Sequence, residues 1–486
     1  MKKKSNLNLE SGRISSFFSG VAKIQGLPNV FVHEVLLDAN GNEVALVVGF
    51  DNEFVEALFF DEKFDLGQPV FRSSRSFSIS VTENLLGRVV NGFGKPIDEL
   101  GDNHGRPVSV FKDAPSIIDR APVDKPVTTG IKIIDTNLPL GRGQRELIIG
   151  DRKLGKSTIA IDTVLNQKHA DQKIFCVYVI CGQKEQELQE IAALFERNNT
   201  FLYTVIVAAT AKTSFAQQYL APFVGCAIGE YFRDHGKDAL VVYDDLSKHA
   251  KVYRSVSLLL ERAPGREAYP GDIFSLHAVL LERAAKLSKE KGGGSLTALP
   301  IVETQEGDIT SFIPTNIISI TDGQIYLERG LFQKGFVPAV NVGLSVSRIG
   351  SQAQPPILTE VIGGIRLALS QYKELQKLSQ IETVISSEAQ KKINRGDLML
   401  ELLKQEKHTN INWMEQVILF YIVEEGLFDD IEKDKWVSFE DILLELIRNR
   451  YFEILDKIKE GKFDKQQKEK IKEIVVDFKQ EFISDK

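Results

Sequence analysis

The sequence has few cysteines and no long apolar stretch, and both absences exclude classes of protein. Its 486 residues include three cysteines, which are too few and too scattered for a disulfide framework or a zinc site. We interpret Cys176 and Cys181, in or just after an apolar run, as small core residues of a cytoplasmic protein. The longest uninterrupted apolar run, residues 417–423, is far shorter than the ~20 residues of a transmembrane helix. We therefore expect no direct membrane insertion.

An excess of positive charge is also absent. The formal net charge is −7 and the sequence pI is near 5.7. A nucleic-acid-binding surface normally gives a basic surplus, so we expect no nucleic-acid partner. No apolar segment follows the basic first residues, so we expect no secretory signal. With 43% hydrophobic and 26% charged residues, the composition is typical of a soluble globular protein of about three domains.

Residues 1–78 are predicted to form a small β-barrel. They contain closely spaced runs of β-branched and aromatic residues without helical patterns between them. A turn signal, Asn40-Gly41, separates two of these runs. Short strands in close succession are typical of a barrel, and a generic antiparallel sheet is the alternative. The predicted strands are residues 30–37, 43–49 and 54–59.

Residues 79–354 and 355–486 are predicted to form an α/β domain and a helical bundle. In the first range, buried-strand runs alternate with helical stretches, as a parallel sheet covered on both faces requires. Those runs are residues 146–149, 174–180, 204–207 and 239–243. In the second range, apolar residues recur at helical spacing. They are Leu358, Val361, Ile365, Ala368, Tyr372 and Leu375, and later Ile471, Ile474, Val475, Phe478 and Phe482.

A phosphate-binding loop is the strongest chemical signal. Residues 150–157 satisfy the pattern G-x-x-x-x-G-K-[ST], with an apolar run before them and a helical pattern after them. In such a loop, backbone N–H groups and the helix N-terminus hold phosphate, the lysine reaches the β- and γ-phosphates, and the hydroxyl binds Mg²⁺. We therefore predict a site for ATP or ADP with Mg²⁺. Its predicted residues here are Gly150, Asp151, Arg152, Lys153, Leu154, Gly155, Lys156, Ser157 and Thr158.

A second signal is an apolar strand that ends in two acids, Asp244 and Asp245. In P-loop proteins an aspartate at this place lies beside the phosphate loop and holds magnesium through water. Asp244 ends the strand and is the predicted metal residue, together with Ser157. Asp245 is predicted to cap the following helix.

Five longer blocks resemble the alpha subunit of rotary F-type ATP synthases. The resemblance covers nearly the whole chain and implies the same order of domains: a β-barrel, a P-loop (RecA-like) α/β domain and a helical bundle. The blocks are residues 141–152, 243–248, 264–272, 313–324 and 342–348.

The resemblance also implies a non-catalytic role. The catalytic beta subunits of that family carry Gly-Glu-Arg where residues 182–184 read Gly-Gln-Lys. The glutamate of that motif positions the attacking water, whereas the amide of Gln183 is a poor general base. We expect this chain alone to bind nucleotide, with Gln183 near the phosphates, and to hydrolyse it slowly or not at all.

Arg348 corresponds to the arginine finger of the family. The resemblance implies that it reaches across a subunit interface to the γ-phosphate in a catalytic beta partner. A planar, permanently charged guanidinium neutralises charge that spreads over the phosphoryl oxygens. A structural ion pair is the alternative interpretation.

The adenine pocket of the family is matched only in part. Phe332, Pro338 and Gln405 match it, whereas Val337 replaces an arginine and Lys407 replaces a glutamine. Within the phosphate-binding loop, Lys153 and Leu154 replace the usual Gln-Thr pair. We expect phosphate binding to survive these departures, while base specificity stays open.

The family also implies partners. They are catalytic beta-type subunits in a three-plus-three ring, a central gamma-type shaft and a stator or membrane sector on the cytoplasmic side of the cell membrane. Barrel-like sequence begins near Gly12, without the usual stalk-docking helix, so an ordinary stator attachment is not expected. The chain is also rich in Lys, Ile, Phe and Asn, which suggests an AT-rich genome. With these two features the chain resembles the F-type-like paralogues of mycoplasmas, some of which are associated with gliding.

Two other functions are compatible with a P-loop. A self-sufficient homohexameric motor ATPase of the secretion or helicase type would need its own base, which Gln183 does not supply. A ring spacer that no longer binds nucleotide would not need the intact residues Gly155, Lys156 and Ser157.

Overall fold

The computed structural model describes residues 10–170, 172–363 and 387–484, which form two compact units. The first unit comprises Met1–Pro122, Arg142–Arg152 and Gln172–Gln324. The second comprises Val123–Gly141, Lys153–Asp171 and Ile325–Lys486. Among the described residues, no helix is long and apolar enough to cross a membrane.

The first unit begins with a closed six-stranded β-barrel, which confirms the predicted architecture. Its strands pair in the order β1-β2-β5-β4-β3-β6 around an apolar core. They are β1 Ser11–Phe18, β2 Val21–Gln25, β3 Glu34–Leu37, β4 Glu43–Phe50, β5 Val55–Phe59 and β6 Pro69–Ser76.

The prediction of one strand over residues 30–37 is wrong in its first half. Residues 30–33 form a turn, in which the Glu34 N–H donates to the Phe31 carbonyl at 3.1 Å. His33 has φ +70°, a left-handed conformation that an extended strand cannot contain. The strand begins at Glu34, whose buried carboxylate accepts hydrogen bonds from the Arg72 guanidinium at 3.0 Å and the Ser74 N–H at 2.8 Å.

The first unit also holds a parallel sheet with helices packed on it. Its strands lie in the order Leu147–Asp151, Ser295–Thr304, Asp238–Asp244, Ile174–Cys181, Thr204–Ala209, Val89–Asn91. The helices are Glu185–Arg197, Phe215–Asp234, Leu246–Leu259, Ile273–Glu282 and Phe312–Ile320. Cys176 and Cys181 are buried in this sheet, as predicted. A small antiparallel pair, Ser78–Val81 with Arg106–Ser109, lies outside it.

Strand register brings functional residues to one edge of this sheet. Ile180 pairs with Asp244 on adjacent strands, and Gly150 pairs with Glu303 on two others. The carboxyl ends of parallel strands meet at the same edge, where α/β proteins bind their ligands.

The second unit is mainly helical and contains the helix that follows the phosphate loop. Its helices include Lys132–Asn137, Lys156–Asn166, Arg329–Gln333, Ser387–Leu402, Trp413–Glu424, Trp436–Arg450, Phe452–Lys459 and Lys465–Ser484. Short strands Pro126–Val127 and Leu140–Gly141 pair with each other. The remaining strands are Gly323–Leu327 and Val346–Ser347, and no strand follows Ser347 among the described residues.

The predicted apolar stripes of the bundle are partly within the described residues. Leu358 and Val361 are buried on a helix that begins at Pro356. Ile471, Ile474, Val475 and Phe478 are buried on the last helix. Ile365, Ala368, Tyr372 and Leu375 lie outside the described residues.

Two histidines of the first unit are buried against each other. His249 Nδ1 lies 3.3 Å from His277 Nε2, and His249 Nε2 lies 3.1 Å from the Tyr219 carbonyl oxygen. Both side chains are fully buried. Burial lowers the pKa of His249 from 6.5 to about 4 and lowers the pKa of His277 well below 6.5.

We expect this pair to make the fold acid-labile. Below pH 6.5 the unfolded chain takes up protons on histidines, whereas the folded chain accepts one on His249 only near pH 4. This contribution to stability is complete above pH 6.5 and is lost as the pH falls, by up to ~1.4 kcal/mol per pH unit for each histidine. As the pH is lowered from 7.5 to 4.5, the urea midpoint should fall less steeply for His249→Gln than for the native chain. The exposed control His104→Gln should retain the native slope, and a native slope in His249→Gln would contradict the prediction.

Candidate functional site

The first residues of the phosphate loop are anchored to a neighbouring strand of the sheet. Asp151 Oδ1 accepts hydrogen bonds from the Thr304 hydroxyl at 2.7 Å and from the Gly307 N–H at 2.8 Å. Arg152 Nε lies 2.6 Å from Glu303 Oε1, in an ion pair at the exposed end of the strand. Asp151 is therefore a structural anchor, and Arg152 is paired with a carboxylate.

The later residues of the loop lead directly into a helix in the second unit. Gly155 has φ +98° at the N-cap, a conformation that favours glycine at the bend before the helix. Lys156, the first helical residue, is buried, and Ser157 and Thr158 follow in the first turn. The backbone N–H groups at a helix N-terminus point along the helix axis and suit phosphate.

Asp244 ends its strand, as predicted, and lies in a buried hydrogen-bond network. Its Oδ2 accepts from the Tyr178 hydroxyl at 2.8 Å, and its Oδ1 accepts from Gln183 Nε2 at 2.7 Å. Burial raises the pKa of Tyr178 well above 10, and the nearby Asp244 raises it further, so the phenol keeps its proton. The ammonium group of Lys248 donates to Gln183 Oε1.

Gln183 is held by both ends of its amide. Its nitrogen faces Asp244 and its oxygen faces Lys248, so the orientation of the amide is determined by its partners. Its side chain is buried at the carboxyl edge of the sheet. A neutral amide in this position can orient a bound group but cannot accept a proton from water.

Asp245 caps the following helix, as predicted. Its Oδ1 accepts from the Lys248 N–H at 2.7 Å. Burial raises the pKa of Asp245 to about 6, against the opposing charge of Lys248.

In the second unit, the structure brings Gln405 next to the segment that contains Pro338. The Gln405 N–H donates to the Val337 carbonyl at 2.8 Å. Its side chain accepts from the Lys132 N–H at 2.9 Å and donates to the Gly130 carbonyl at 2.7 Å. Phe332, five residues before Val337, is 43% exposed. Gln405 and the segment that contains Val337 and Pro338 therefore form one neighbourhood, and the exposed ring of Phe332 precedes this segment in the chain.

Arg348 lies just after the short strand Val346–Ser347 and is exposed. Within the part of the chain that the structure describes, its guanidinium makes no ion pair or hydrogen bond. The described residues therefore supply no partner for the alternative interpretation, an ion pair within the chain.

Two family profiles match this chain. Residues 130–347 match the nucleotide-binding domain of the ATP synthase alpha/beta family, and residues 354–478 match the C-terminal domain of the ATP synthase alpha/beta chain. These matches cover well over half of the sequence. The chain belongs to the ATP synthase alpha/beta family.

Relatives place it among the alpha subunits of this family. ATP synthase subunit alpha of Aquifex aeolicus is 47% identical over 479 residues, which cover 98% of this chain and 94% of the relative. The alpha subunit of Rickettsia bellii is 46% identical over 484 residues, which also cover 98% of this chain and 94% of the relative. That of Helicobacter acinonychis is 46% identical over 473 residues, covering 97% and 94%. This member of the ATP synthase alpha/beta family is an F-type alpha subunit.

Three residues of the alpha-type site were not foreseen from its sequence. Tyr178 reads as one aromatic residue within an apolar strand, Lys248 as a helix residue after the cap, and Glu303 as a polar residue at a strand end. Lys248 lies within the block of residues 243–248 that resembles the family, but that block does not indicate a contact with Gln183. Tyr178 and Glu303 lie within strands and have no further sequence signal.

Proposed function

We propose that this alpha subunit binds nucleotide in its own P-loop as a regulatory ligand and does not hydrolyse it. One observation carries the proposal: the amide of Gln183 is fixed between Asp244 and Lys248, where hydrolysis needs a carboxylate. The same observation weighs against a self-sufficient homohexameric motor, because every subunit of such a ring must carry its own base.

The donor set suits Mg²⁺–ATP or Mg²⁺–ADP. Magnesium prefers oxygen ligands and keeps several waters when phosphates bind it. The Ser157 hydroxyl would bind it directly, and Asp244 would hold one of its waters. Lys156 would contact the β- and γ-phosphates. Gly150, Asp151, Arg152, Lys153, Leu154, Gly155 and Thr158 would complete the phosphate loop, with Gln183 beside it and Phe332, Pro338 and Gln405 near the base.

The proposed assembly is a ring that alternates three of these chains with three catalytic beta-type subunits around a central shaft. We propose that Arg348 completes the catalytic site of the neighbouring beta-type subunit. Its guanidinium is exposed and has no partner among the described residues of its own chain, which supports this role. The ring would lie on the cytoplasmic side of the membrane, attached through a membrane sector or stator. Its relatives are named as ATP synthase subunits, so gliding is not part of the proposal.

The test is to separate binding from turnover in the purified full chain. We expect about one nucleotide per chain in Mg²⁺–ATP and negligible phosphate release. Lys156→Ala removes the positive charge at the phosphates and should abolish retention, which equilibrium dialysis measures directly. Sustained hydrolysis by the native chain, at the rate of a rotary ATPase head, would refute the non-catalytic assignment. Unchanged binding in Lys156→Ala would refute the P-loop role.

A further inference from the structure

A turn in the second unit is attached to the helix that follows the phosphate loop. We call residues 405–410 the clasp turn and Lys156–Asn166 the P-loop helix. Within the clasp turn, Asn410 Nδ2 donates to the backbone carbonyl of Asp162 at 2.8 Å and to that of Thr129 at 3.1 Å. Asp162 lies on the P-loop helix, six residues after Lys156.

The side chain of Asp162 depends on one residue of the clasp turn. The His408 N–H lies 3.1 and 3.2 Å from the two carboxyl oxygens, and His408 Nδ1 lies 2.8 Å from Oδ1. Burial raises the pKa of Asp162, and these contacts oppose the effect. The described residues offer this buried carboxyl no other side-chain donor. Loss of the imidazole would therefore leave it short of a donor, a costly condition for a buried acceptor.

The backbone conformation of His408 is consistent with its ring facing Asp162. Its φ is +63°, a left-handed conformation that glycine, asparagine, aspartate and histidine adopt more readily than other residues. Its side chain is only 30% exposed because the ring turns toward Asp162. The left-handed turn therefore suits histidine and directs its ring to the P-loop helix.

The other end of the clasp turn reaches the proposed base neighbourhood. Gln405 contacts the backbone of Val337, Gly130 and Lys132, and its Nε2 also donates to the Thr409 carbonyl at 2.6 Å. One short turn thus links the P-loop helix to the segment that carries Pro338.

We propose that His408 is a positioning residue for the nucleotide site: by holding the clasp turn on the P-loop helix through Asp162, it keeps the base neighbourhood aligned with the phosphate loop. This inference rests on the proposed nucleotide-binding function. It assigns His408 no contact with nucleotide, and it concerns only the part of the site that would recognise the base.

The experiment compares ATP with inorganic tripolyphosphate, which carries the phosphates without the base. Calorimetry on the purified full chain should show that His408→Gly weakens ATP binding about tenfold, as loss of a hydrogen bond to a charged group predicts. Tripolyphosphate affinity should change by less than about twofold, because the phosphate loop itself is untouched. His408→Asn, which suits the left-handed backbone and keeps a donor, should restore ATP affinity.

Glu406→Gly is the matched control, since it adds the same backbone freedom at an exposed position of the clasp turn. It should bind both ligands like the native chain. The inference would be overturned if His408→Gly left ATP affinity unchanged or weakened the binding of both ligands equally. It would also be overturned if His408→Asn failed to restore ATP binding, or if the control weakened ATP binding as much as His408→Gly. If the native chain bound neither ligand in a manner dependent on Lys156, the proposed function itself would fail instead.

Discussion

Replacing Arg348 by alanine should lower ATP turnover of the assembled complex by about a thousandfold, while the ring and nucleotide binding at the beta-type site persist. A guanidinium supplied from a neighbouring subunit acts on charge that develops in the transition state, so its loss affects the rate far more than ground-state binding. Single-site turnover and subunit stoichiometry should be measured on the same preparation.

Two variants sharpen the test of Arg348. Arg348→Lys should restore little activity, because a point charge does not reproduce the planar fork of a guanidinium. Arg75→Ala removes an arginine that is 64% exposed and should leave turnover unchanged. Intact rings with near-normal turnover in Arg348→Ala would rule out the finger. Rings that fall apart, and that lysine restores, would indicate a structural ion pair.

Replacing Arg283 by methionine should destabilise the first unit by about 3–5 kcal/mol. Arg283 and Glu230 are both fully buried, and two guanidinium nitrogens reach the two carboxylate oxygens at 3.0 and 2.5 Å. A third nitrogen of Arg283 donates to the Val110 carbonyl at 2.8 Å. Methionine fills a similar volume, so the expected loss comes from leaving the buried Glu230 carboxylate with only the more distant Arg233 guanidinium, 3.5 Å away. The urea midpoint measures this effect.

The double variant Arg283→Met/Glu230→Leu should recover most of that loss. Removing both charges also removes the cost of burying them, which the ion pair only offsets. Lys462→Ala, in the exposed pair Lys462–Glu460, should leave the urea midpoint unchanged. If the double variant were as unstable as Arg283→Met, packing or the Val110 contact, rather than an orphaned charge, would explain the effect.

The phosphate loop could be predicted because all its determinants lie within eight consecutive residues, from Gly150 to Ser157. The network around Asp244 could not. Tyr178 and Gln183 reach this carboxylate only because their strand lies beside the strand Asp238–Asp244, in a register that pairs Ile180 with Asp244. Apolar runs identify buried strands, but they do not state which strands are neighbours.

Contacts between residues far apart in sequence could not be predicted either, because the sequence does not state which elements are neighbours. His408 and Asp162 are 246 positions apart, and neither belongs to a recognisable motif. Local backbone conformation was the other source of error. Residues 30–33 have the composition of a strand, yet they turn, because the chain must enter the barrel at Glu34 with its carboxylate facing Arg72. The alternation of β-branched residues does not reveal this constraint.

Closure of the barrel has a consequence for how the chain recognises its neighbours. Each of the six strands is hydrogen-bonded on both sides, so the barrel offers no free backbone edge to which a second chain could add a strand. A neighbour that touches the barrel walls must therefore recognise side chains and cannot add a strand. The barrel's preference for one partner over another then depends on individual surface side chains. Substitutions there can keep two related assemblies from exchanging subunits without any change in the barrel backbone.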